Sequence, residues 1–180
     1  GKTGKVYCFE PLEYPRKILS KVISLKKLKW VKVQALAFSN KAGHATMKIP
    51  VKNGNKPQPA LATLGEIDTG LFITEEVKLD TLDSFVGREK IKKIDFIKCD
   101  VEGFEYQVFQ GGKKTLAEHK PTIFCEVITS NYENRLDTPG HFFKFMINLG
   151  YEVYFSSDGN TLSQVTNFEL LPTARDYFFV

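Results

Sequence analysis

Short apolar runs alternate with longer amphipathic stretches along most of the chain. Lys5-Val6-Tyr7-Cys8-Phe9 is an apolar run that stops at Glu10-Pro11, and Arg16 to Leu28 follows with apolar positions at helical intervals, predicting a strand and then a helix. Val31 to Leu36 reads as a second strand. The turn-forming Ser39-Asn40-Lys41-Ala42-Gly43 and the alternating His44 to Ile49 predict a hairpin or an antiparallel addition. Ile94 to Cys99 predicts a strand ending at Asp100-Val101-Glu102-Gly103, and the helix after it carries Phe104, Val108 and Phe109 on one side. Pro121 to Val127 predicts a buried strand that contains Glu126. Phe142, Phe145, Met146 and Leu149 stand at i, i+3, i+4 and i+7, with Thr138-Pro139 as cap and first-turn proline and Gly150 as stop. Tyr151 to Phe155 and Thr161 to Val165 flank a hairpin-type turn, and Asp176 to Val180 closes the chain as a strand.

Strands that alternate with helices and run nearly continuously apolar predict an open α/β sheet with both faces covered and antiparallel strands at its C-terminal end. From Val51 to Gly70 the pattern lapses into Asn, Gly, Pro and Thr, and periodicity returns only near Val77. A loop of that length reads equally as a lid or as a tolerated surface insertion.

Composition narrows the class. The chain has 180 residues, 42% hydrophobic and 26% charged, which excludes collagen-like, low-complexity and broadly disordered proteins and favours one domain over residues 1–180. No stretch approaches the roughly 20 apolar residues of a membrane span. Gly1 to Lys5 lacks the apolar core of a signal peptide, so a cytoplasmic address is favoured. Twenty-five Lys and Arg against 21 Asp and Glu leave a net charge of +4. Lys21, Lys26, Lys27 and Lys29 cluster, but Ile18, Leu19, Val22, Ile23 and Leu28 are interspersed with them, and a solvated helix face explains that better than a nucleic-acid stripe. Cys8, Cys99 and Cys125 show neither disulfide nor zinc spacing.

The candidate chemistry lies in acids at strand ends, where open parallel sheets bind ligands. Glu10, Asp100 and Glu126 each fall at or near that edge, and Lys98 is the one evident partner. Glu10 precedes a helix, where a carboxylate matches the two hydroxyls of a ribose; a solvated acid at a helix N-terminus is an equal alternative. In Asp100-x-Glu102-Gly103 the glycine permits a sharp turn, and the two acids are expected close to the next helix's N-terminal amides. His141 reads as a structural residue of a helix's first turn.

Leu79-Asp80-Thr81-Leu82-Asp83-Ser84-Phe85, then Ile94 to Glu105, then Gly111 and Lys120-Pro121, together resemble the FkbM family of S-adenosylmethionine-dependent methyltransferases. Val6 to Pro11 resembles that family's second strand, and Ala35 through Gly43 its third strand and turn. The resemblance implies a Rossmann-like class I methyltransferase fold and methyl transfer to a hydroxyl of a small-molecule acceptor: a sugar, a lipid or a secondary metabolite. It also implies that Glu10 binds the cofactor ribose, that Pro11, Leu12, Ala35 and Leu36 lie near the adenine, and that Asp100 faces the methionine portion or the acceptor. Asp100, Glu102 and Glu126 are the candidates for accepting the acceptor's proton or orienting it, with no metal assigned. No nucleic-acid partner is expected, and the oligomeric state is open. The strand and glycine-rich turn that open such folds have no counterpart before Lys5, so the expected domain is N-terminally incomplete. A non-catalytic nucleotide- or sugar-binding α/β module shares the strand-edge acids but leaves the D-x-E-G block unexplained.

Overall fold

The computed structural model describes residues 4–52, 56–64, 70–132, 138–156, 158, 160–167 and 174–180. The chain divides into two compact units, Gly1–Asp80 and Thr81–Val180.

In the first unit β1 (Val6–Phe9) pairs in parallel with β2 (Val31–Gln34), in register from Val6 opposite Val31 to Phe9 opposite Gln34. Between them runs α1 (Glu13–Leu25). The helix starts before the expected Arg16 because Pro15 lies in its first turn, where a missing N–H costs no intrahelical bond. The apolar residues of this segment divide: Leu19, Ile23 and, beyond the helix end, Leu28 are half-buried, whereas Ile18 and Val22 are exposed. A second sheet orders β3 (Ala37–Phe38), β6 (Leu71–Asp80), β4 (Gly43–Lys52) and β5 (Lys56–Pro57). β4 and β6 form the expected antiparallel pair. Leu12, Ile49, Ala62, Val77 and Leu79 make this unit's core.

The segment read equally as a lid or as a surface insertion is described in part. It holds β5, a 3-10 turn at Pro59–Leu61 and a bridge between Lys48 and Thr63, and residues 53–55 and 65–69 lie outside the described ones. β6 begins at Leu71 and not near Val77. Leu71, Phe72 and Ile73 are exposed, so burial imposes no alternation on that half of the strand.

The second unit opens with α2 (Leu82–Arg88), followed by β7 (Phe96–Cys99), α3 (Glu105–Gln110), α4 (Lys113–His119), β8 (Thr122–Ile128), a 3-10 turn (Thr129–Tyr132), α5 (Pro139–Asn148), β9 (Val153–Phe155), β10 (Ser163–Gln164) and β11 (Ala174–Phe179). Its sheet runs β10-β9-β11-β8-β7, with β7 and β8 parallel and the C-terminal strands antiparallel, as expected. One face carries Cys99, Ile123, Cys125, Val127, Val153, Tyr177 and Phe179, all buried. On it α5 sets Phe142 and Phe143 against Phe179, and Phe109 of α3 stacks on Phe142 at 5.5 Å. Thr138 and His141 form a reciprocal cap on α5, which gives His141 the structural role expected of it.

The described strands thus lie in three sheets and not in one continuous sheet. β1 and β7, read as buried on both faces, are edge strands of their sheets, with Val6 47% and Phe96 56% exposed. Apolar periodicity identifies a strand, but it does not say which edges pair.

Candidate functional site

Two groups of candidate residues take shape, one in each unit. In the first, the parallel register that ends at Phe9 opposite Gln34 aligns the carboxyl ends of β1 and β2, and the Glu10 amide donates to the Gln34 carbonyl at 3.1 Å. Glu10, Pro11 and Leu12 therefore lie beside Ala35 and Leu36. The half-buried Glu10 carboxylate accepts the Leu12 amide at 2.9 Å, and Arg16 donates to the carbonyls of Glu10 and Pro11, fixing the loop. Burial pushes the Glu10 pKa up, opposed by the Leu12 amide and the Arg16 charge. Glu75, which no sequence signal singled out, accepts the Glu13 amide at 2.7 Å and closes the start of α1. Leu12 is 2% exposed and its side chain serves the core; Leu36 is buried and Ala35 open. A carboxylate oriented by backbone, with small and apolar residues beside it, suits the diol and base of a nucleoside.

In the second unit Asp100, Glu102, Glu126, Glu105, Ile128 and Asn131 line one recess. Glu126 and Asp100 share that lining, close enough for the charge of Asp100 to act on Glu126. The Glu126 pKa is raised by partial burial and by the charges of Asp100, Asp176 and Glu102; Asp176 faces Glu126 directly from β11. Lys98 pairs with Asp100 at 2.9 Å as expected, and that bond, with Glu126 and Asp176 nearby, raises the lysine's own pKa.

The turn that carries Asp100 and Glu102 is held from below. Glu102 and Gly103 both take left-handed backbone, at φ 52° and 91°. The Asn131 amide donates to Glu102 at 2.9 Å, and a Cβ at Gly103 would stand 2.7 Å from both the Cβ and the carbonyl oxygen of Asn131. Asp100 and Glu102 were expected at the N-terminal amides of α3, which has no side-chain cap; Glu105, 1% exposed, instead braces the turn before the helix, accepting the Gly103 amide at 3.0 Å and the Tyr132 hydroxyl at 2.5 Å. Burial raises the pKa of Glu105 and of Tyr132 alike. The one hint of this in the sequence is that Glu105 closes the D-V-E-G-F-E run on the apolar side of the helix. Tyr132 and Asn131 carried no signal at all.

Cys99 and Cys125 are cross-strand partners directly beneath, buried and reduced, and Cys8 is half-buried and free. Among the described residues no three His, Cys, Asp or Glu side chains are placed to hold a metal ion. No described helix is long and apolar enough to cross a membrane.

The profile of the methyltransferase FkbM domain matches residues 1–153, and the chain belongs to the FkbM methyltransferase family. Its fold is similar to the crystal structure of a methyltransferase FkbM from Methylobacillus flagellatus, with a TM-score of 0.55 and 14% sequence identity; the likeness covers 98% of this chain and 36% of that one. The chain thus spans about a third of the length of that relative. No curated protein matches it.

Proposed function

We propose that the chain is a single Rossmann-like methyltransferase domain, cytoplasmic, that uses S-adenosylmethionine to methylate a hydroxyl of a small-molecule acceptor, a sugar, lipid or secondary metabolite. Membership of the FkbM family supports the reaction class. The observation that supports the site assignment is the gathering of Asp100, Glu102 and Glu126 around one recess, because a glutamate whose pKa is raised by burial and by neighbouring carboxylates is suited to receiving a proton from a hydroxyl.

S-adenosylmethionine, when bound, supplies an electrophilic methyl group. In this reading Glu10 binds its ribose, and Pro11, Ala35 and Leu36 flank its adenine, with Leu12 holding the Glu10 carboxylate in place. Glu126 takes the acceptor's proton, its raised pKa bringing it nearer the working pH than an ordinary glutamate. Asp100 orients the hydroxyl beside the Lys98 ammonium, and Glu102, steadied by Asn131, borders the same recess.

Calorimetric titration with S-adenosylmethionine tests the cofactor, with saturable heat expected and a loss of about tenfold or more in affinity for Glu10→Ala. A chain that binds with unchanged affinity after that substitution, or not at all, overturns the assignment. Methyl transfer by a binding-competent chain is expected to collapse in Glu126→Gln while the calorimetric affinity stays.

A further inference from the structure

The outward side of α1 is apolar. Tyr14, Ile18, Val22 and Leu25 stand at i, i+4, i+8 and i+11 and are 68%, 47%, 45% and 81% exposed. A surface helix normally needs one apolar stripe, and α1 already has one in Leu19 and Ile23 on its inner side. The second stripe contributes nothing described to this unit's core.

Cations surround it. The helical repeat sets Lys17 and Lys21 on its flank, and Lys26, Lys27 and Lys29 follow the end of the helix, all exposed. From Tyr14 to Lys52 there are ten Lys or Arg residues and no Asp or Glu. Trp30, the chain's one tryptophan, stands 40% exposed just beyond. A polyanion such as a nucleic acid would account for the charges but not for a bare leucine and isoleucine among them. Glu13 in the first turn pairs with Lys17, so the unneutralised charge beside the ridge is that of Lys21, Lys26, Lys27 and Lys29. An exposed apolar ridge bordered by those cations is complementary to a layer that is anionic outside and hydrocarbon inside.

We propose that α1 lies flat on a bilayer rich in anionic phospholipid. Tyr14, Ile18, Val22 and Leu25 enter the boundary between headgroups and acyl chains, and the lysines meet the phosphates. The contact is peripheral and involves no spanning segment, and it is independent of methyl transfer.

The full chain is mixed with vesicles of phosphatidylcholine, alone or with phosphatidylglycerol, and followed by sedimentation and Trp30 emission. Sedimentation and a blue shift are expected with the mixed vesicles alone, both weakening as salt screens the charges. Lys21→Gln should weaken binding on the order of fivefold. The double substitution Ile18→Gln, Leu25→Gln should abolish it, and because both side chains are exposed its melting temperature should stay that of the parent. The proposal is overturned if the mixed vesicles do not retain the chain, if phosphatidylcholine alone retains it equally, or if Lys21→Gln binds as tightly as the parent. Binding that survives the double substitution overturns it too, since the cations alone would then be acting, as they would on a nucleic acid.

Discussion

The Tyr132 hydroxyl donates to the Glu105 carboxylate at 2.5 Å, inside the second unit and directly under the turn that carries Asp100 and Glu102. A buried carboxylate is tolerated only where its oxygens are met, and here the Gly103 amide meets the other one. Tyr132→Phe removes one donor and should cost about 2 kcal/mol in denaturant unfolding. Glu105→Ala strands both donors and leaves a void, so its loss should be larger, about 3 kcal/mol or more. Equal stability of parent and Tyr132→Phe would show that the pair contributes nothing.

Glu126 makes a prediction with a sign. Its folded pKa lies above the ordinary value of 4.5, so in the window that opens at 4.5 and runs up to the raised value the folded state binds more protons than the unfolded one, and stability falls as pH rises. Glu126→Gln carries no such penalty. Melting curves taken from below pH 4.5 upward should show the variant gaining on the parent through that window and holding its advantage above it. A gap that stays constant with pH would contradict the raised pKa.

Gly103→Ala should destabilise strongly. The backbone at φ 91° alone costs a side chain about 1–3 kcal/mol, and the new methyl group would also meet the Asn131 carbonyl, which is backbone and yields little. Gly140, inside α5, is the control: a Cβ there meets only the Thr138 hydroxyl, at 3.6 Å, and Gly140→Ala should stabilise by roughly 0.5–1 kcal/mol. Thermal melts of the two variants should move in opposite directions.

Asp83 accepts the amides of Lys114 and Thr115 at 3.1 and 2.8 Å, capping α4 from α2 across about thirty residues of sequence. Asp83→Ala should cost about 1–2 kcal/mol. Asp83→Asn, which keeps an acceptor oxygen, should cost less. The order of the two in chemical denaturation checks the cap; equal losses would mean that the charge and not the bond is felt.

What the sequence disclosed follows from how local each signal is. The helix α5 was legible because its cap, its first-turn proline, its apolar period and its stop all lie within Thr138 to Gly150. The helix α4 was not, since it follows two glycines, begins with two lysines and takes its cap from Asp83. Asp100, Glu102 and Glu126 were legible as strand-end acids and do share a recess. Glu105 was hidden because an acid one turn into an amphipathic helix looks solvated until Tyr132 and the Gly103 amide are seen around it. The outward position of Ile18 and Val22 was hidden for a related reason: a helix with apolar residues on two sides has a period that fits either face.

The Asp83 cap divides the family signature into two trades. Thr81 accepts the Ser84 amide to start α2, and Asp83 ties α2 to α4, so T-L-D-S-F is a fastening between helices. The D-V-E-G-F-E run shapes a recess and presents its acids. On the proposed role of those acids, a descendant that kept the fastening and lost them would fold as a family member while catalysing nothing, and a search keyed to the first motif alone would count it among the enzymes.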